Sequence, residues 1–154
     1  MNCLIRPMAL DDIPLLAEWL VGVPLMQRYG LTVASAISSL EAGLARGDWM
    51  LVADGDRLAI GFAWAMPSGA FGRSAYLRLI AVPVDMSGTG TGAQLLAEIE
   101  RMAADVSNDL FLLTSDFNEK AQRFYERHGY AQVGAISDYV VPGVTELMFR
   151  KRLK

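Results

Sequence analysis

Three glycines alternate with threonines in Gly88-Thr89-Gly90-Thr91-Gly92, between an apolar run, Tyr76 to Val82, and an apolar-periodic stretch, Ala93 to Ala104. A glycine-rich turn that joins a strand to a helix can aim several backbone N–H groups at one point. The positive end of the helix dipole points the same way, so the chemistry on offer is the holding of a phosphate or pyrophosphate. Neither Lys nor Arg stands in the loop. The grip must then rest on amides, the helix end and the hydroxyls of Ser87, Thr89 and Thr91. Charge-assisted hydrogen bonds are about twice as strong as neutral ones, so binding here should be weaker or more salt-tolerant than in a loop with its own cation.

Other chemistries are bounded by what the 154 residues contain. Cys3 is the only cysteine and His128 the only histidine. An internal disulfide and multi-histidine or Cys-based metal sites are therefore excluded, and no metal is expected. A Ser–His–acid triad would have to use His128, which at a helix end reads better as a residue satisfying the dipole. The net charge of −3 argues against nucleic-acid binding, and the basic end Arg150-Lys151-Arg152-Leu153-Lys154 reads as a solvated chain terminus. With 53% apolar and 20% charged residues the chain is expected to fold as a single domain over 1–154. The longest apolar stretches are broken by Gly, Pro or Asp, and the first seven residues lack the layout of an export signal. A soluble cytoplasmic protein without membrane contact is the expectation. A positive mean hydropathy of +0.26 hints at extra apolar surface, such as a dimer contact.

The elements that must position the loop can be read along the chain. Cys3 to Pro7 is a strand. Asp11-Asp12 caps a helix with Pro14 in its first turn and Ile13, Leu16, Ala17 and Leu20 on one face. Gly22 and Pro24 break it. Thr32 opens a second helix, with Val33, Ile37, Leu40 and Leu44 in helical spacing, and Gly47 ends it. Trp49 to Ala53, a turn at Asp54-Gly55-Asp56, and Arg57 to Ala65 form a hairpin. Pro67-Ser68-Gly69 is expected to turn the chain into Tyr76 to Val82. The helix after the loop puts Leu95, Leu96, Ile99, Met102 and Ala103 on its apolar side. Leu110 to Thr114 reads as a strand covered on both faces, Asn118 to His128 as a helix stopped by Gly129, and Tyr130 to Ile136 and Val144 to Arg150 as terminal strands about a turn at Pro142-Gly143. The fold class is α/β (α+β mixed), a central mixed sheet with helices on both faces, and β-α-β from Tyr76 to Thr114 is a crossover between parallel strands.

This order and two of its segments resemble the GNAT superfamily of acyl-CoA-dependent N-acetyltransferases, whose sheet is mostly antiparallel. Leu79-Ile80-Ala81-Val82 followed by Ser87-Gly88-Thr89-Gly90-Thr91-Gly92 is similar to the family's Arg/Gln-x-x-Gly-x-Gly/Ala loop after its fourth strand. Asn118-Glu119-Lys120-Ala121 through Tyr125 to Gly129-Tyr130 is similar to its Asn-x-x-Ala-x-x-x-Tyr-x-x-x-Gly-Phe segment. Two motifs in order, with a strand between, specify far more than either alone. The resemblance implies N-acetyl transfer from acetyl-CoA to a primary amine by direct attack. It implies that the backbone of Leu79, Ile80, Ala81 and Val82 pairs with the pantetheine arm. The amides of Gly88, Thr89, Gly90, Thr91, Gly92 and Ala93 would hold the pyrophosphate, and Asn118 would hydrogen-bond the cofactor. Tyr125 would lie near the thioester sulfur and protonate the departing thiolate. An ordinary phenol, with a pKa near 10, is close to an alkyl thiol and suits that transfer. Relatives build the acceptor pocket from the loops around Gly22 to Thr32 and Ser137 to Gly143, so Trp19, Tyr29 and Tyr139 are candidates for substrate contact. Small amines, amino acids, aminoglycosides and protein N-termini are all compatible, a small molecule being expected before a protein, and dimers are common in the family.

The chain departs from the family at three points. Ser87 replaces the usual Arg or Gln, Thr89 replaces a frequent Lys or Arg, and Tyr76-Leu77-Arg78-Leu79 lacks the Glu that some relatives use as general base. Glu18, Asp48, Asp116 and Asp138 are left as bases acting through water. Asn118 reads equally as a helix cap and Tyr125 as a core aromatic. Two other functions stay open. One is dinucleotide binding, since Gly88-x-Gly90-x-x-Ala93 fits that fingerprint with Asp116 as the ribose carboxylate. Pro83 to Ser87 intrudes between strand and glycines, however, and no second nucleotide half exists. The other is a CoA-binding sensor or partner-binding relative without turnover.

Overall fold

The computed structural model describes residues 3–56 and 59–154; Arg57 and Leu58, where the second hairpin strand was expected to start, lie outside the described residues. Seven strands form one sheet in the order β1-β2-β3-β4-β5-β7-β6: β1 Leu4–Pro7, β2 Trp49–Asp54, β3 Ala59–Ala70, β4 Ser74–Ala81, β5 Asp109–Ser115, β6 Ala131–Ser137 and β7 Thr145–Arg152. β1/β2, β2/β3, β5/β7 and β6/β7 pair antiparallel, and β4/β5 pair parallel, so the sheet is mixed and mostly antiparallel. The helices are α1 Ile13–Leu20, α2 Pro24–Arg28, α3 Val33–Arg46, α4 Thr91–Ala104 and α5 Glu119–Arg127. Among the described residues no helix is long and apolar enough to cross a membrane. The chain divides into two compact units, Met1–Ala65 with Leu79–Ile99, and Met66–Arg78 with Glu100–Lys154.

In the first unit both faces of the sheet carry helices. Phe62 and Trp64 on β3, with Met50 and Val52 on β2, bury against Ile13, Leu16 and Leu20 of α1 and Leu40 of α3. The opposite face is flat at Gly61. A Cβ there would stand 2.8 Å from Thr91 Cγ2 and 2.9 Å from Leu95 Cδ1. That missing side chain lets the first turn of α4 lie close on the strand. Arg6 ties β1 to its neighbours, with Nε 2.6 Å from Asp54 and Nη1 2.8 Å from Asp12.

Several expectations shift. Asp12 does not cap α1 with its side chain; its carboxylate accepts from the Ala9 amide at 2.7 Å and closes the 3-10 turn Leu10–Asp12. The break after α1 contains the short helix α2, with Pro24 at its first position, where a missing N–H costs nothing. Pro67-Ser68-Gly69 is not a turn but part of β3. The register of β2 begins at Trp49↔Ala65, so β3 overhangs β2 there, an edge position that tolerates proline. The reversal comes at Phe71 and Gly72, with φ of 59° and 65°, closed by Arg73 N donating to Ala70 O at 3.1 Å. β5 alternates more than its apolar run suggested: Leu110, Leu112 and Thr114 are buried, whereas Phe111 and Leu113 are half-buried.

Candidate active site

In the first unit, the chain leaves β4 through a 3-10 turn, Val84–Met86, and then passes Gly88 and Gly90, with φ of 81° and 87°, into α4. The first intrahelical bond runs from Gln94 N to Gly90 O at 3.1 Å. The amides of Thr91, Gly92 and Ala93 are therefore the first-turn donors that a helix leaves without internal acceptors. Left-handed glycines just ahead of a helix turn successive N–H groups toward one point, which is the geometry of an anion nest. The hydroxyls are arranged differently from the sequence-based expectation. Thr89 Oγ1 donates to Met86 O at 2.8 Å and sits 2.9 Å from Thr91 Oγ1, and Thr91 is buried at 1% exposure. These two hydroxyls shape the loop, and only Ser87 of the three is exposed.

β4 and β5 pair only over Ala75–Leu77 and Leu110–Leu112; β4 then continues through Leu79, Ile80 and Ala81. Leu79 and Ala81 face the first unit's core, Ile80 is half-buried on the other side, and Val82 follows the strand.

In the second unit, Asn118 caps α5: its Oδ1 accepts from the Ala121 amide at 3.2 Å, which leaves the NH2 end with its two donors. Seven residues on, Tyr125 is buried, with its ring set edge-to-face against Phe124 (5.1 Å) and Tyr130 (5.6 Å). Burial pushes its phenol well above the ordinary range, helped by Tyr76, so the group holds its proton across the physiological range. Tyr130 is raised in the same way by burial and by Glu100, which accepts from its hydroxyl at 3.0 Å and pairs with Lys151 at 2.9 Å. Among the described residues no acceptor takes the Tyr125 proton. His128 is structural: its Nδ1 lies 2.7 Å from Phe124 O, and Gly129 follows with a φ of 91°.

These phenols predict an alkaline limit to stability. Tyr76, Tyr125 and Tyr130 all stay protonated in the native state at a pH where the unfolded chain ionises, near 10. Above that pH the unfolded state binds fewer protons, so stability is complete below about pH 10 and falls as pH rises further. Circular-dichroism melts should show a Tm that drops from pH 10 upward, and the slope should be shallower in a Tyr125→Phe, Tyr130→Phe double variant.

Most of the expected bases have other work. Asp48 accepts from Trp64 Nε1 at 2.9 Å and from Arg46 at 2.8 Å; Asp138 accepts from the Gly143 amide at 2.7 Å and closes a loop; Asp116 accepts from the Thr145 amide at 3.3 Å, which also occupies the supposed ribose carboxylate. Glu18 is exposed on α1. Of the acceptor-pocket aromatics, Trp19 packs against the first unit's core, Tyr29 is half-buried just after α2, and Tyr139 is exposed. Missed altogether was Glu146, buried on β7. Its setting depends on cross-strand register, which one sequence does not display.

The GNAT acetyltransferase domain model matches residues 46–132, more than half of the chain and inclusive of both the glycine loop and α5. The chain belongs to the GNAT acetyltransferase family. Among solved structures this GNAT protein is similar to a GNAT-family protein of Desulfovibrio desulfuricans, with 21% identity, 99% of this chain and 100% of that one covered, and a TM-score of 0.82. It is similar to an aminoglycoside 6'-N-acetyltransferase complexed with coenzyme A, with 16% identity, 98% and 97% covered, and a TM-score of 0.78. A third is yncA of Salmonella typhimurium with its cofactor acetyl-CoA, with 15% identity, 100% and 95% covered, and a TM-score of 0.79. At these identities the likeness is one of fold. A search of curated proteins gives no match.

Proposed function

We propose that this GNAT protein is an N-acetyltransferase, working as one domain, that moves an acetyl group from acetyl-CoA to a primary amine of a small molecule. The observation that carries the reading is the run of first-turn amides of α4 behind Gly88 and Gly90. They suit a pyrophosphate without any loop cation. Leu79 to Val82 offer backbone for the pantetheine arm, and the NH2 of Asn118 supplies a further donor. The amine attacks the thioester carbonyl directly. Tyr125, neutral and held by its aromatic neighbours, gives its proton to the departing thiolate. The acidic balance of the chain favours a neutral or cationic acceptor. The positive mean hydropathy supports a homodimer, and a cytoplasmic site of action belongs to the same reading.

The loop without a cation also favours a second reading, a CoA-binding protein without turnover. One experiment separates them. Acetyl-CoA should raise the Tm and NAD should not, because only a ligand of the native state shifts the unfolding equilibrium. Thiol release from acetyl-CoA should then appear with at least one amine of a broad panel. A Tm shift without thiol release supports the sensor, and no shift at all sinks both.

A further inference from the structure

Glu146 is only 4% exposed, and no step of the proposed transfer uses it. Charged side chains are buried this deeply only where something requires them. Cross-strand register fixes the face that it occupies. Ser115 lies opposite on β5 and Ile136 on β6. The parallel pair Tyr76↔Phe111, with strand alternation, puts Tyr76 and Arg78 of β4 on the face that carries Phe111, Leu113, Ser115 and Glu146. One face of the second unit thus gathers a phenol, a guanidinium, a buried hydroxyl and a buried carboxylate. Tyr76 registers this company: burial raises its phenol, Arg78 lowers it, and Tyr139 and Glu146 raise it. Tyr125 is raised chiefly by burial, with Tyr76 adding to it. The cluster also stands where sheets with parallel strands take ligands, off the carboxyl end of the strand, since Ser115 is the last residue of β5. Asp116 N donates to Thr145 O at 2.9 Å and holds the start of β7 beside that end.

We propose that Glu146 is the acceptor-recognition residue of this transferase, taking a cationic alkyl amine as its ammonium between Tyr76 and Tyr139 and removing the proton that blocks attack. The proposal rests on the transferase reading. Ammonium groups favour a carboxylate flanked by aromatic faces, and anionic acceptors are disfavoured there. The balance is simple. The ammonium gives one proton to Glu146, which passes it to water. The freed nitrogen pair bonds to the carbonyl carbon, and the C–S bond breaks with its electron pair on sulfur. Sulfur takes the Tyr125 proton, and the phenol regains one from the newly acylated nitrogen. The products are the amide and the free thiol.

The test measures thiol release from acetyl-CoA with 1,5-diaminopentane, tyramine and glycinamide as probes. Glu146→Gln should raise the KM of the best probe at least tenfold while the acetyl-CoA-induced rise in Tm is kept. Its deficit should shrink as pH approaches that of the free amine, because a neutral amine no longer needs the carboxylate. Glu146→Asp should recover part of the loss. A structural role predicts none of this pH rescue. An unchanged amine KM, or a deficit that is equal at every pH, overturns the proposal. Should Glu146→Gln lose the acetyl-CoA shift, Tyr139→Ala on the exposed loop decides instead: a raised amine KM with intact acetyl-CoA response supports the proposal, and an unchanged KM overturns it. If the wild-type protein releases no thiol with any probe, the transferase reading fails and this proposal with it; release that Glu146→Gln retains in full removes Glu146 alone.

Discussion

Replacing Tyr125 by Phe is expected to lower kcat by about 10²- to 10⁴-fold, the range by which a positioned proton donor contributes, and to leave acetyl-CoA binding intact. The ring itself does the packing. Its edge-to-face contacts with Phe124 and Tyr130 use no hydroxyl, and no acceptor among the described residues takes the phenolic proton. Loss of the oxygen therefore costs little stability. Burial that raises the Tyr125 phenol makes it a weaker acid, and at first sight a worse donor. The same apolar surroundings raise a buried thiol, because desolvation penalises thiolate and phenolate alike. Donor and leaving group thus move together, and the near match that an unperturbed phenol offers is carried into the interior. The raised value also means that deprotonation of Tyr125 does not limit the rate below about pH 10, the ordinary phenol value. The check is a kcat and KM comparison of wild type and Tyr125→Phe, with acetyl-CoA affinity measured separately. A variant that turns over at the wild-type rate removes Tyr125 from the chemistry.

The elements with strong local causes were legible. Thr32 and Ser35 exchange side-chain to backbone bonds of 3.1 and 3.0 Å at the start of α3, and Gly47 closes it with a φ of 81°; both follow from residues adjacent in the chain. The parallel β4-α4-β5 unit was legible because a strand, a helix and a strand in that order leave a right-handed crossover as the ordinary solution. The failures share a physical cause. Phe71 holds a φ of 59°, a conformation that its side chain does not favour, so the turn it makes with Gly72 carried no signal, whereas Pro67-Ser68-Gly69 has the better turn sequence and lies within a strand. Pro67 is accommodated because of which strand ends beside it, a fact of register. The same holds for the site. Gly88 and Gly90 announce themselves locally, whereas the cross-strand neighbours of Glu146 lie on β5 and β6, with Tyr76 of β4 on the same face, and only their alignment gathers them into a cluster. Thr91 belongs to the same contrast: its place in a phosphate-loop pattern is local, whereas its burial against Gly61 depends on how α4 lies on β3.

Gly90→Val should raise the Kd for acetyl-CoA by at least tenfold, for a reason that lies wholly in the backbone. Nothing stands within 4 Å of the Cβ that Gly90 lacks, so a side chain there meets no obstacle. Its φ of 87° is another matter. A β-branched residue held there is strained by about 1–3 kcal/mol, and the loop relieves that strain by rotating the peptides on either side. Those peptides carry the amides of Gly90 and Thr91, which the nest must present. Because the hydroxyls of Thr89 and Thr91 are committed to the loop and no side chain of the loop supplies a positive charge, nothing compensates for a deflected amide. The same dependence on amides sets the salt response. Fixed backbone dipoles are screened less than exposed charge pairs, so wild-type Kd should change little between about 50 and about 500 mM salt. Ser87→Arg adds an exposed cation beside the nest and should both tighten binding and make it fall with salt. Isothermal titration with acetyl-CoA at the two salt concentrations checks all three proteins. Steep salt dependence already present in the wild type would mean that a cation from elsewhere in the chain holds the phosphates, and the amide nest would no longer be the main grip.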